Sequence, residues 1–128
     1  MNFFNPISEK EAMLLPALSL AYVGDAVHSL YVRERLVQGV QLKPDALHTL
    51  ASAEVKASAQ AHFIENLEDR LTEAEKSVYL RGRNAKAHHK AKNQNIVDYR
   101  KATGFEAVLG YLYLTGQHQR IAELLNEQ

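Results

Sequence analysis

Between Pro16 and Arg33 the chain carries one charge, Asp25, in a stretch otherwise made largely of apolar and small residues. Pro16 is tolerated in the first turn of a helix and Gly39 suits an exit, so the spacing predicts a helix from about Pro16 to Gln38. Its apolar residues, Leu18, Leu20, Ala21, Tyr22, Val23, Ala26, Val27, Leu30, Tyr31 and Val32, fall on nearly every side. A helix apolar all round is a buried one, and the rest of the chain has to supply its cover. With 128 residues the sequence fits one domain, taken as residues 1–128 with an ordered core over about 13–126. That length buries a core without staples.

The cover is expected to be helical too. A second helix is predicted from about Pro44 to Ile64, with Leu47, Leu50, Ala51, Glu54, Val55 and Ser58 along one stripe. A third opens at Thr72, with Glu75 at capping-box spacing, and runs to about Gly82. A fourth runs from about Val97 to Leu114 and ends at Gly116. A last amphipathic helix over about His118 to Asn126 places Ile121, Leu124 and Leu125 on one face. Strand-like alternation is scarce. The reading is an all-α single domain of about five to seven helices.

Several classes are excluded. No cysteine is present, so neither a disulfide framework nor a Cys-ligated zinc site can form. No uncharged apolar run reaches the roughly 18–20 residues of a membrane span. Met1 to Ser8 lack a basic segment leading into an apolar one, so no secretory leader is expected. A soluble, cytoplasmic protein is the expectation.

Two acids stand in apolar surroundings. Asp25 shares a helical face with Leu18, Tyr22, Ser29 and Val32, and Glu106 is the only charge between Gly104 and Leu114. Burying an ionised carboxylate without a partner costs several kcal/mol or forces protonation. A shared divalent cation answers that cost, and oxygen-only ligation suits magnesium or manganese rather than zinc. Gly24 adjoins Asp25 and Gly110 lies one turn beyond Glu106, so the two helices can cross closely. Pairing of each acid with a buried base, or capping of a neighbouring helix, would explain them as well. Spacing alone leaves both open. His28, one turn from Asp25, either touches such a site or is an ordinary core histidine.

Net charge is zero, but its distribution is uneven. Arg81, Arg83, Lys86, Lys90, Lys92, Arg100 and Lys101 are seven bases against one acid, Asp98, a local +6 that leaves −6 for the remainder. A polyanion meets the strip rather than the average. Arg83 to Asn95 is poor in large apolar groups and is expected as an exposed loop or a loosely held short helix, with Asn84, Asn93, Gln94 and Asn95 as hydrogen-bonding groups. A solvated loop that only aids solubility is the plainer alternative. The adjacent His88 and His89 make a poor metal pair, since neighbours on a loop seldom point at one ion.

Two segments, Val23-Gly24-Asp25-Ala26 and Phe105-Glu106-Ala107-Val108-Leu109-Gly110-Tyr111-Leu112-Tyr113-Leu114, resemble the two signature motifs of the ribonuclease III catalytic domain, in the same order. The likeness is closer to the Mini-ribonuclease III branch, which lacks a separate double-stranded-RNA-binding domain. Leu20 to Val27, Leu30-Tyr31-Val32-Arg33, Arg81-Gly82-Arg83-Asn84-Ala85-Lys86 and Ala102-Thr103-Gly104-Phe105-Glu106-Ala107 carry it, and it extends from about Pro16 to Leu125.

The resemblance implies a homodimeric, Mg²⁺-dependent endoribonuclease (Mn²⁺ a possible substitute) that cuts both strands of an RNA duplex. Products would carry 5′-phosphate and 3′-hydroxyl ends. Asp25 and Glu106 would be the catalytic and metal-holding residues. Arg81, Arg83, Asn84, Lys86, Lys90 and Lys92 would grip the RNA. Maturation of the 23S ribosomal RNA precursor is the implied role, and a non-catalytic RNA-binding module of the same fold is the alternative. Two family carboxylates are absent: Ala21 stands where the wider family has glutamate and Thr103 where it has aspartate. One well-held ion, with a second recruited by substrate phosphate, is therefore expected.

Overall fold

The computed structural model describes residues 4–39, 44–54, 64–86 and 95–126. Among these the regular structure is helical, with no strand. The elements are α1 (Glu9–Met13), α2 (Ala17–Gly39), α3 (Pro44–Glu54), a helical turn over 64–67 that leads into a 3-10 turn (Glu68–Arg70), α4 (Glu73–Asn84), α5 (Ile96–Leu114) and α6 (His118–Leu125). None of the described helices is long and apolar enough to cross a membrane.

Local chemistry sets most boundaries. The expected capping box at the start of α4 is present: the Glu75 amide donates to Thr72 Oγ1 at 3.2 Å, and the Thr72 amide donates to Glu75 Oε1 at 2.9 Å. α5 begins at Asn95, whose Oδ1 accepts from the amides of Val97 (2.8 Å) and Asp98 (3.3 Å). It ends in a Schellman turn. Gly116 adopts φ 76°, its amide donates to the Tyr113 carbonyl (3.0 Å), and the Gln117 amide donates to the Leu112 carbonyl (2.8 Å).

Two expectations need amendment. The chain is helical before Pro16: α1 is opened by a second capping box, Ser8 with Glu11, a spacing already visible in the sequence. The predicted helix from Pro44 to Ile64 is seen as α3 only as far as Glu54, and the stripe residues Val55 and Ser58 lie outside the described residues.

α5 is the centre of the molecule. From Ala102 to Leu112 every residue except Glu106 is buried. α2 and α4 pack along it, and α1 and α6 close one end, where Ile121, Leu124 and Leu125 are buried as expected. The crossing of α2 on α5 is unusually close. A Cβ at Gly24 would fall on the Glu106 carbonyl, and one at Gly110 would fall on the Leu20 carbonyl. Backbone meets backbone there with no side chain between.

α2 is not enclosed on every side. Leu20, Ala21, Gly24, His28 and Val32 are buried, but Tyr22 is 83% exposed, Leu30 is 62% exposed and Ala26 is open to solvent. The single chain covers one side of this apolar helix and leaves another bare.

A second tie joins α4, α6 and the 3-10 turn. Arg120 donates through Nε to Glu75 Oε2 (2.8 Å) and through Nη2 to Glu75 Oε1 and the Arg70 carbonyl (2.9 Å each). Its Nη1 reaches Glu123 Oε2 at 3.1 Å. Burial raises the Glu75 pKa, but the hydrogen bonds from Arg120 and from the Thr72 backbone outweigh it and leave the pKa below the ordinary 4.5.

Two outcomes are expected. Gly110→Ala forces α2 off α5 and lowers stability by about 3 kcal/mol or more, read as a lower urea midpoint; an unchanged midpoint would contradict the crossing. The stabilisation that Glu75 draws from its depressed pKa is complete above pH 4.5 and disappears as pH falls through the lower folded value. Glu75→Gln therefore lowers the melting temperature at neutral pH and flattens its decline in acid.

Candidate active site

The α2–α5 crossing brings the backbones that carry the two acids together. Gly24, against which the Glu106 carbonyl rests, is the residue before Asp25, so Asp25 and Glu106 lie at neighbouring positions on different helices. The burial expected of them is not found. Asp25 is exposed and Glu106 is half-buried. The reason is the bare side of α2: apolar composition implied cover all round, and the chain provides it on one side only. Accessibility is what a carboxylate needs if it is to meet a cation and a phosphate. Of the other members of the predicted Asp25 face, Val32 is fully buried while Tyr22 is largely exposed, so the face spans a boundary.

The donor set is small. Ala21 and Thr103, which stand where the family the chain resembles has two further carboxylates, are each 7% exposed, and Thr103 spends its hydroxyl on the Tyr99 carbonyl at 2.9 Å. Among the described residues no group of three or more His, Cys, Asp or Glu side chains could hold a metal ion. Asp25 and Glu106 offer hard oxygen donors, a chemistry that fits Mg²⁺ or Mn²⁺ only if water and substrate oxygens complete the shell.

His28 lies beneath this site, 1% exposed and in edge-to-face contact with Phe105, the ring centroids 5.7 Å apart. Burial lowers its pKa to about 4 despite the opposing pull of Asp25. It is neutral at pH 7 and packs as a core residue.

The basic strip divides by function. Arg81 donates through Nη1 to the Met13 carbonyl (3.2 Å) and through Nη2 to the Leu15 carbonyl (2.7 Å). It thus caps the end of α1 and fixes the turn into α2, where Pro16 has no amide to offer. Lys101 forms an ion pair with Glu65 at 2.7 Å. Asn95, expected as a loop hydrogen-bonding group, is committed to capping α5. Arg83 and Asn84 belong to the last turn of α4, and Lys86 and Arg100 are exposed. Lys90, Lys92, His88, His89, Asn93 and Gln94 lie outside the described residues.

Nothing in the residues around Arg81 signals this task. The carbonyls it serves are 66 and 68 residues away, at the end of a five-residue helix with no periodicity of its own.

The ribonuclease III domain model matches residues 18–117, which include both acids and the crossing glycines. A Mini-ribonuclease 3 from Enterococcus faecalis is 49% identical over 114 residues, covering 88% of this chain and 86% of that protein. One from Symbiobacterium thermophilum is 44% identical over 125 residues, covering 98% of this chain and 92% of the relative. A crystal structure of a Fusobacterium nucleatum protein superposes with a TM-score of 0.79 at 26% identity, covering 88% of this chain and 90% of that one. The same fold, carried with this degree of identity along nearly the whole length, makes the chain a member of the ribonuclease III family, similar in size and sequence to proteins of its Mini-ribonuclease 3 branch.

Proposed function

We propose that the chain is an endoribonuclease that hydrolyses phosphodiester bonds in double-stranded RNA with the help of Mg²⁺, and that it works as a homodimer. The observation that carries this reading is the backbone contact between Gly24 and Glu106, which brings the backbone of one exposed acid, Asp25, close to that of a half-buried acid on a separate helix. Asp25 and Glu106 would hold the ion. When bound, Mg²⁺ supplies a water of lowered pKa and offsets charge on the phosphate oxygens. The carboxylates fix where the attacking water and the phosphate meet. The basic residues at the end of α4 and beyond it, Arg83, Asn84 and Lys86 with Lys90 and Lys92, would hold the backbone. Duplex RNA is met mainly through phosphates and 2′-hydroxyls, so this grip needs no base specificity and weakens with salt.

Family kinship supports 5′-phosphate and 3′-hydroxyl products, the 23S ribosomal RNA precursor as substrate and the cytoplasm as setting. The bare side of α2, with Tyr22, Ala26 and Leu30, favours a second copy as its cover: an apolar strip beside the acids would then place two sites on one dimer, one per strand.

The second reading, a module that binds structured RNA without cutting it, is favoured by the reduced donor set left by Ala21 and Thr103. A gel assay on an RNA duplex separates the two. Cleavage is expected with Mg²⁺ and not with EDTA. Asp25→Asn should reduce it by more than the roughly 10–100-fold that loss of an outer-shell metal partner costs. Because Asp25 is exposed, that substitution should shift stability by no more than about 0.5 kcal/mol. Binding without cleavage by the wild-type chain would establish the second reading instead. Light scattering should give the mass of two chains for the wild type and of one for Tyr22→Glu; a monomeric wild type contradicts the dimer.

A further inference from the structure

Arg81 and Arg83 stand two residues apart in the last turn of α4, yet their surroundings differ. The Nη groups of Arg81 are committed to the Met13 and Leu15 carbonyls. Arg83 makes no ion pair among the described residues. Its Nε donates to Asn84 Oδ1 at 3.2 Å, and its Cζ lies over the ring of Tyr79, 6.0 Å from the centroid. One helical turn separates Tyr79 from Arg83, so the contact is built into the helix.

Tyr79 is an unusual support. It is fully buried, and its ring is seated against α5 where a Cβ at Gly104 would come within 2.8 Å of Cδ1 and Cε1. Among the described residues its hydroxyl is buried and meets no hydrogen-bond partner. A buried hydroxyl left without a partner is a cost, so the work of this side chain lies in the ring. A ring locked in the core and a guanidinium laid over it restrict an arginine that would otherwise sample many rotamers. The two Nη groups remain as a planar fork of donors, the geometry that matches a phosphate.

We propose that Tyr79 is a positioning residue for duplex RNA: it holds Arg83 in place as a ready phosphate-binding fork, whereas Arg81 is structural. This rests on the nuclease reading above, from which it takes the ligand, a backbone phosphate of double-stranded RNA.

Binding of a short fluorescein-labelled RNA duplex, followed by anisotropy in EDTA so that no strand is cut, tests it. Tyr79→Leu removes the aromatic face and is expected to weaken binding about three- to fivefold. Tyr79→Phe, which keeps the ring, recovers the wild-type affinity. In an Arg83→Gln background Tyr79→Leu causes no further loss, although its effect on melting temperature persists. A purely structural role would instead weaken binding equally in both backgrounds, and that result overturns the proposal. If Tyr79→Leu does not fold, Arg83→Lys carries the test: it keeps the charge without the planar face and should bind more weakly than the wild type, while wild-type affinity overturns the proposal. Unchanged affinity in Arg83→Gln overturns it while leaving cleavage by the wild type, and hence the nuclease reading, intact. A wild-type chain that neither binds nor cuts the duplex overturns both.

Discussion

The structure depends on one close approach, the meeting of α2 and α5 at Gly24 and Gly110. Neither position has room for a Cβ, because each looks onto a carbonyl of the other helix. The contact fixes rotation as well as distance. With Gly24 held against the Glu106 carbonyl, Asp25 is carried to the edge of the crossing beside Glu106. The same two glycines that allow the core to close thereby set the spacing of the backbone positions that carry the acids. Packing and chemistry are not independent here, and a substitution that loosens the crossing would also spread the candidate site.

Much of this was legible in advance, for reasons that can be named. Helix ends were visible where the chain supplies its own cap: Thr72 with Glu75, and Gly116 beyond α5. The glycines beside the two acids announced a close crossing, and it is found. α1 escaped notice although Ser8 and Glu11 have the same capping spacing, because five residues are too few to show a hydrophobic period. The exposure of Asp25 was misjudged for a deeper reason. Periodicity says which residues are apolar on each face of a helix, but not which of those faces finds its cover within the same chain. Arg81 was grouped with the basic strip by its charge and by the motif it sits in, and only the tertiary fold reveals the carbonyls it serves.

Charge in this protein is best understood residue by residue. A net of zero conceals a +6 strip, and that strip is itself mixed in use. Arg81 closes the end of α1 and Lys101 is paired with Glu65, so each is partly spent on the fold. Arg120 and Glu75, at the other end of α4, form an ion pair in which Glu75 is buried and Arg120 is partly exposed. Counting bases therefore overstates the electrostatic grip available to a polyanion. Orientation matters more than number, since a fixed guanidinium surrenders less freedom on binding than a mobile lysine.

The bare side of α2 and the small carboxylate set have a common consequence. One chain presents two acids, Asp25 and Glu106, and a modest basic surface, with an apolar strip alongside that water is poorly suited to cover. Joining two chains through that strip would remove apolar area from water and double the charged footprint at once. It would also set two incomplete sites at a fixed spacing, each relying on substrate oxygens to finish its metal shell. A nuclease so built would complete both sites, and so cut both strands, only on a duplex long enough to engage both halves. The missing carboxylates at Ala21 and Thr103 would then act less as a loss of activity than as a requirement for the correct substrate.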